Sequence, residues 1–174
     1  MRTKLHRSLM VSGIVLVATV ALAAASEKSK PSFDAFGTHM TVLIDGADTH
    51  GASATIRLAV PAGVGPPAHI HTKEDETFVV TNGHFRFWHG DQVVDAPAGT
   101  VVFMPRNEPH QFLNVGETSG ELIMTVVPAS LENFFLDVAK RHLAMPADQA
   151  AIIDLSAQYG VRYVPSLIPR PAAQ

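Results

Sequence analysis

Between His39 and Val127 every apolar run is short, and each gives way to Gly, Pro, Asn or Asp within a few residues. No stretch there is long enough for a helix of ordinary length, so this part of the chain must be built from strands and turns. The segments follow at close intervals: His39–Asp45, Ser53–Val60, Glu76–Thr81, His84–Trp88, Gln92–Asp95, Thr100–Met104, His110–Asn114 and Glu121–Val127. In the second, Ala54, Ile56, Leu58 and Val60 share one parity, and in the fourth Phe85 and Phe87 do. Side chains two apart on a strand point the same way, so these positions mark an inner face. An all-β sandwich or barrel is expected. Asn82-Gly83 is the strongest hairpin signal and predicts that the strands on either side of it pair.

After Val127 the period changes. Ser130 suits an N-cap for a helix over Leu131–Leu143, with Leu131, Phe134, Phe135 and Val138 as its apolar stripe. Pro146 opens a second helix through Tyr159, stopped by Gly160. Val161–Val164 suits one more short strand, with a Pro-rich tail packed on the surface.

The chemistry gathers in one stretch, Gly63 to Gly83. A Gly/Pro loop leads into His69 and His71, which share a strand face. Glu76 opens the next strand and, if that strand pairs with the first, faces the same interior. Two imidazoles and a carboxylate meeting at a point suit a divalent ion with open coordination positions. His110, in phase with Phe112 on a later strand, can face inward beside them. Glu74 shares parity with Glu76 but falls in the expected turn, which makes Glu76 the better candidate. His39, His50, His84 and His89 sit at turns or strand ends and read as surface residues. Phe78, Phe112, Phe134 and Phe135 read mainly as core, with Phe78 and Phe112 as candidates for a substrate pocket.

The chain has 174 residues and no cysteine, which excludes disulfides, thiolate nucleophiles and iron–sulfur clusters. Arg2, Lys4 and Arg7 precede the apolar run Leu9–Leu22 and the small residues around Ala23 and Ala25. That order predicts a secretory signal over residues 1–25 and an exported protein, periplasmic or secreted. Its removal leaves 10 basic against 16 acidic residues, a net charge of −6 with histidine neutral. No basic cluster remains, which argues against nucleic acid and, once the signal is cleaved, against a membrane surface. A small molecule is the expected partner. Residues 26–38 read as a linker or arm, 39–128 as the barrel and 129–174 as a helical extension packed on it.

The arrangement resembles the cupin superfamily, and its helical tail ending in Tyr159-Gly-Val-Arg-Tyr-Val is similar to the small quercetinase-like (quercetin dioxygenase-like) cupins. Gly63, His69, His71, Glu76 and Gly83 match the spacing of that family's first motif at every position. Gly99, Pro105, His110 and Asn114 match the second, with Asn107 standing where the family has a glycine. Asn tolerates a left-handed turn better than most residues, so the departure leaves the fold reading intact. The resemblance implies a cupin jelly-roll barrel with one or two C-terminal helices. It also implies one divalent transition metal (Fe, Mn, Ni, Cu or Zn) held by His69, His71, Glu76 and His110, and a dioxygenase-type oxidoreductase acting on a phenolic or diketone-like molecule. Glu76 would then serve as both ligand and proton acceptor. A non-catalytic binding barrel and a metal-dependent isomerase or lyase are the alternatives. Cupins commonly form homodimers, and the resemblance extends that expectation here.

Overall fold

A computed structural model describes residues 30–169. The expected signal segment lies outside the described residues. No described helix is long and apolar enough to cross a membrane. The strands are β1 (Ser32–Ala35), β2 (Thr38–Ile44), β3 (Ala54–Val60), β4 (His69–His71), β5 (Asp75–Asn82), β6 (His84–His89), β7 (Gln92–Pro97), β8 (Val101–Met104), β9 (His110–Asn114), β10 (Gly120–Val127) and β11 (Val161–Tyr163). Two helices, α1 (Leu131–Lys140) and α2 (Gln149–Gln158), lie between β10 and β11.

The strands form two antiparallel sheets facing each other as a jelly roll. One is ordered β1-β2-β3-β10-β5-β8 and the other β11-β4-β9-β6-β7. Alternation does what it should: Ala54, Ile56, Leu58 and Val60 of β3 and Leu122, Met124 and Val126 of β10 are buried between the sheets. From the opposite sheet Phe87 and Phe112 meet Phe78, with ring centroids 5.4 Å apart for Phe78–Phe87 and 5.6 Å for Phe78–Phe112, and Phe85 packs on both of them. Each such side chain contributes about 1.5–3 kcal/mol by leaving water.

Two pairings differ from the sequence reading. β5 and β6 do not form a hairpin: β5 pairs with β10 and β8, β6 with β7 and β9. Gly83, at φ 89°, turns the chain from one sheet to the other. A Cβ there would lie 2.8 Å from Gly120 Cα, so the corner requires glycine. A left-handed two-residue turn serves a hairpin and a sheet-to-sheet corner equally well, and local sequence does not separate them. Likewise β4 and β5 lie in different sheets, so Glu76 faces the histidines across the barrel rather than beside them.

The segment 26–38, expected as an arm, contains β1, which pairs with β2 from Ser32↔Thr41 to Ala35↔Thr38. Four residues with a polar alternation were too short to read as a strand. Their turn places Phe36 at φ 54°, an uncommon conformation for a bulky residue. Phe36 is held there by packing on Phe134 and Phe135 of α1, at centroid distances of 5.8 and 6.3 Å.

α1 ends at Lys140, three residues earlier than expected, and buries Leu131, Phe134 and Val138. Ser130 occupies the N-cap position but caps nothing with its side chain; its hydroxyl is used elsewhere. α2 starts at Gln149, after a turn from Pro146, and gives way to Gly160 at φ 84°. A Cβ on Gly160 would meet Thr72 Oγ1 at 2.6 Å, so the helix end packs directly on the turn that follows β4. β11 then pairs with β4, placing Val161 opposite His71 and Tyr163 opposite His69.

Candidate metal centre

The loop before β4 fixes where the histidines arrive. Gly65 runs so close to β9 that a Cβ on it would lie 2.0 Å from the Phe112 carbonyl oxygen. Gly63 N–H donates to Asn114 O and Asn114 N–H to Val64 O, while Gln111 Nε2 donates to Pro66 O. Asn114 itself is structural: its amide donates to the Val60 and Thr118 carbonyls. The extended, proline-stiffened approach thus sets β4 beside β9, with His69 opposite His110.

His69, His71, Glu76 and His110 each present one donor atom, all within 4.8 Å of one another. His110 Nε2 lies 3.1 Å from Glu76 Oε2, and His71 Nε2 lies 3.6 Å from Glu76 Oε1. The imidazole centroids are 4.5 Å apart for His69–His110, 4.8 Å for His69–His71 and 5.2 Å for His71–His110. Donors held at about 2.0–2.2 Å from one ion lie at most about 4.4 Å apart, so small side-chain shifts close the set on an ion. Backbone carbonyls select the ring nitrogens. His69 Nδ1 is 2.8 Å from Pro67 O and His110 Nδ1 is 3.1 Å from Glu108 O, which leaves both Nε2 atoms pointing inward. His71 Nε2, Glu76 Oε2 and His110 Nε2 are buried without a hydrogen-bond partner. Orphaned buried polar atoms are costly, and a shared divalent cation satisfies all three. The residues fit the ion.

The charges agree. Burial, together with the neighbouring His110 and His71, drives His69 down to about 3, so its imidazole is neutral at neutral pH. Burial works to raise Glu76, but His71, His110 and His69 outweigh it and hold the carboxyl at about 2, ionised. His71 is burdened by burial too, yet Glu76 and Glu74 raise it above the ordinary histidine value. A neutral imidazole and an ionised carboxylate are the forms a transition metal takes as ligands.

Glu74, the rival carboxylate, is not part of this set. It is fully buried, accepts a hydrogen bond from Ser130 Oγ, and places Oε2 3.8 Å from His71 Nδ1 on the side away from the centre. Its burial was not legible because its partner lies 56 residues along the chain. Arg106, in the loop before β9, grips Asp75 at the start of β5 through its backbone N–H and guanidinium, at 2.7–3.0 Å. The pair ties the loop that carries His110 to the strand that carries Glu76. Asn107 in the same loop adopts φ 68° and donates its N–H to His71 O at 2.7 Å.

Of the other histidines, His39 and His84 pair with Asp34 and Asp95 at the surface. His89 is more enclosed than expected and meets Glu108 at 2.7 Å. The four donors line a cavity of about 60 Å³ whose wall includes Phe78 and Phe112, and also Phe36, Phe134 and Tyr163. Tyr163 was missed. The parity of Val161 and Tyr163 was visible, but the strand they would pair with was not.

Residues 56–126 match the cupin domain family. That stretch is similar to cupin domains. Three solved structures share the fold. Pac13 of Streptomyces, described as a unique nucleoside dehydratase, is 18% identical over 79% of this chain and 87% of its own, at a TM-score of 0.52. A predicted oxalate decarboxylase of Thermotoga maritima is 23% identical over 59% and 95%, also at 0.52. An RmlC-like cupin of Shewanella frigidimarina is 19% identical over 62% and 91%, at 0.51. At these identities the likeness is one of fold. No curated protein matches the chain by sequence.

Proposed function

We propose that this cupin is a metal-dependent oxidoreductase of the dioxygenase type, acting on a small organic molecule outside the cytoplasm. The observation that carries the proposal is the convergence of three imidazoles and one carboxylate in the wall of a mainly apolar cavity. A bound divalent ion would supply Lewis-acid activation of a substrate oxygen and leave positions open for a second reactant. Glu76 is the one carboxylate of the donor set and the residue placed to accept a proton from an acidic O–H or C–H of the substrate. Phe78, Phe112 and Phe134 exclude water around it. The export expectation rests on residues 1–25 of the sequence.

Size narrows the substrate. An apolar cavity of about 150 Å³ takes benzene, and this one measures about 60 Å³. A single aromatic ring exceeds it and a three-ring flavonol does so by more, so the short-chain, diketone-like end of the expected range fits better than the phenolic, quercetinase-like one. The test is oxygen uptake by protein loaded with Fe(II), Mn(II), Ni(II) or Cu(II), offered small diketones, catechols and flavonols. Uptake with the small diketones and none with flavonols is expected. Turnover without uptake would replace this reading with an isomerase or lyase. Saturable binding without turnover would replace it with a binding barrel.

A further inference from the structure

The wall of the cavity is apolar almost throughout, apart from the four donors. Thr38 of β2 and Tyr163 of β11 are its only other polar side chains among the described residues. Tyr163 stands on the strand that closes the free edge of β4, directly opposite His69 in register. Its ring centroid is 6.5 Å from that of His69. The register is fixed from both ends: Thr72 N–H and Oγ1 both donate to Gly160 O, and Val164 N–H donates to Ala68 O. Tyr163 is half-buried in the cavity wall, and its hydroxyl makes no hydrogen bond with any described residue. A free phenolic O–H in an apolar wall is a donor available to a bound molecule.

The geometry points to Tyr163 as a substrate-contacting residue: its phenolic O–H donates to an oxygen of the molecule bound at the His/Glu centre. This rests on the metal reading above and adds to it that the ligand bears an oxygen acceptor, a carbonyl, carboxylate or enolate, on the side facing β11. Burial drives the phenol up to about 12, so it stays protonated and is a donor throughout the neutral range. A ligand that binds the ion through nitrogen and turns no acceptor toward β11 gains nothing from it.

The test compares the full-length protein with Tyr163→Phe, both loaded with Co(II) and followed by the visible bands of the ion. Acetate is the oxygen probe and imidazole the nitrogen probe. Equal Co(II) stoichiometry and affinity are expected in the two proteins, with acetate bound about tenfold or more weakly by the variant and imidazole bound equally. Acetate affinities within twofold of each other, or no binding of acetate to the wild type, would overturn the assignment of Tyr163. So would equal weakening of both probes, which would mark a packing role. Failure of both proteins to bind Co(II) would overturn the metal reading itself, and the assignment with it.

Discussion

Ser130 donates its hydroxyl hydrogen to Glu74, a carboxylate with no exposure to solvent that faces His71 Nδ1 from behind. The first residue ahead of α1 therefore holds the carboxylate that backs a candidate metal ligand. Glu74→Gln keeps the shape and removes the charge that favours the donor form of the ring at Nδ1. Such outer partners are worth about 10–100-fold in metal affinity. A Zn(II) titration of wild type and variant in competition with a chelator should show a loss in that range. Ser130→Ala leaves a buried carboxylate short of its donor and should cost about 1–3 kcal/mol of stability in urea denaturation.

His110 is the ligand that sits on β9, opposite His69 and 3.1 Å from Glu76. Elemental analysis of wild-type protein purified without chelator should return one transition metal per chain. His110→Ala removes one donor and leaves Glu76 without its nearest imidazole, so the same analysis should return a small fraction of that amount. Equal metal content in the two proteins would place the ion elsewhere.

Asp75 and Arg106 give a pH signature. The hydrogen bonds from Arg106 hold the Asp75 carboxyl at about 2, below its ordinary value of 3.8. A carboxyl depressed in the folded state stabilises fully above its unfolded pKa, and that contribution fades as pH falls through the folded one. In metal-free protein, wild type should therefore be more stable than Asp75→Asn by a constant margin from pH 5 to 7. The margin should close between about pH 4 and pH 2. A margin that persists at pH 2 in thermal scans would assign the stabilisation to something other than this charge.

Asn107 stands at φ 68°, the left-handed turn expected where the family carries glycine. Asn107→Gly should change stability by less than about 1 kcal/mol, since glycine enters that region freely. Asn107→Val forces a branched side chain into it and should cost about 1–2 kcal/mol. Because the Asn107 N–H holds the carbonyl of His71, the valine variant should also bind Zn(II) more weakly. Equal stabilities for the two variants would count against a strained turn.

The strands were legible because each carries an alternating pattern and ends in turn chemistry, and both are properties of adjacent residues. The donor set was legible for the same reason: His69 and His71 are two apart, Glu76 follows closely, and His110 is in phase with Phe112. What local pattern cannot encode is which sheet a strand joins. Asn82-Gly83 reads as a hairpin and makes a corner, and Glu76 reaches the histidines from the opposite sheet. Ser32–Ala35 was hidden by its polar composition and becomes a strand only through β2. Glu74, Arg106 and Tyr163 acquire their positions from residues far along the chain, so their contribution to the site appears only once the chain is folded.

The place of β11 in the chain has a consequence for access. β4 is joined to β9 on one edge, and its other edge is covered by a strand that follows both helices. The flank of the histidines is thus closed by the chain's own tail, across 90 residues from His71 to Val161. Loosening the contact of Gly160 with Thr72 should therefore open the candidate centre from the side, without disturbing the phenylalanines at its front.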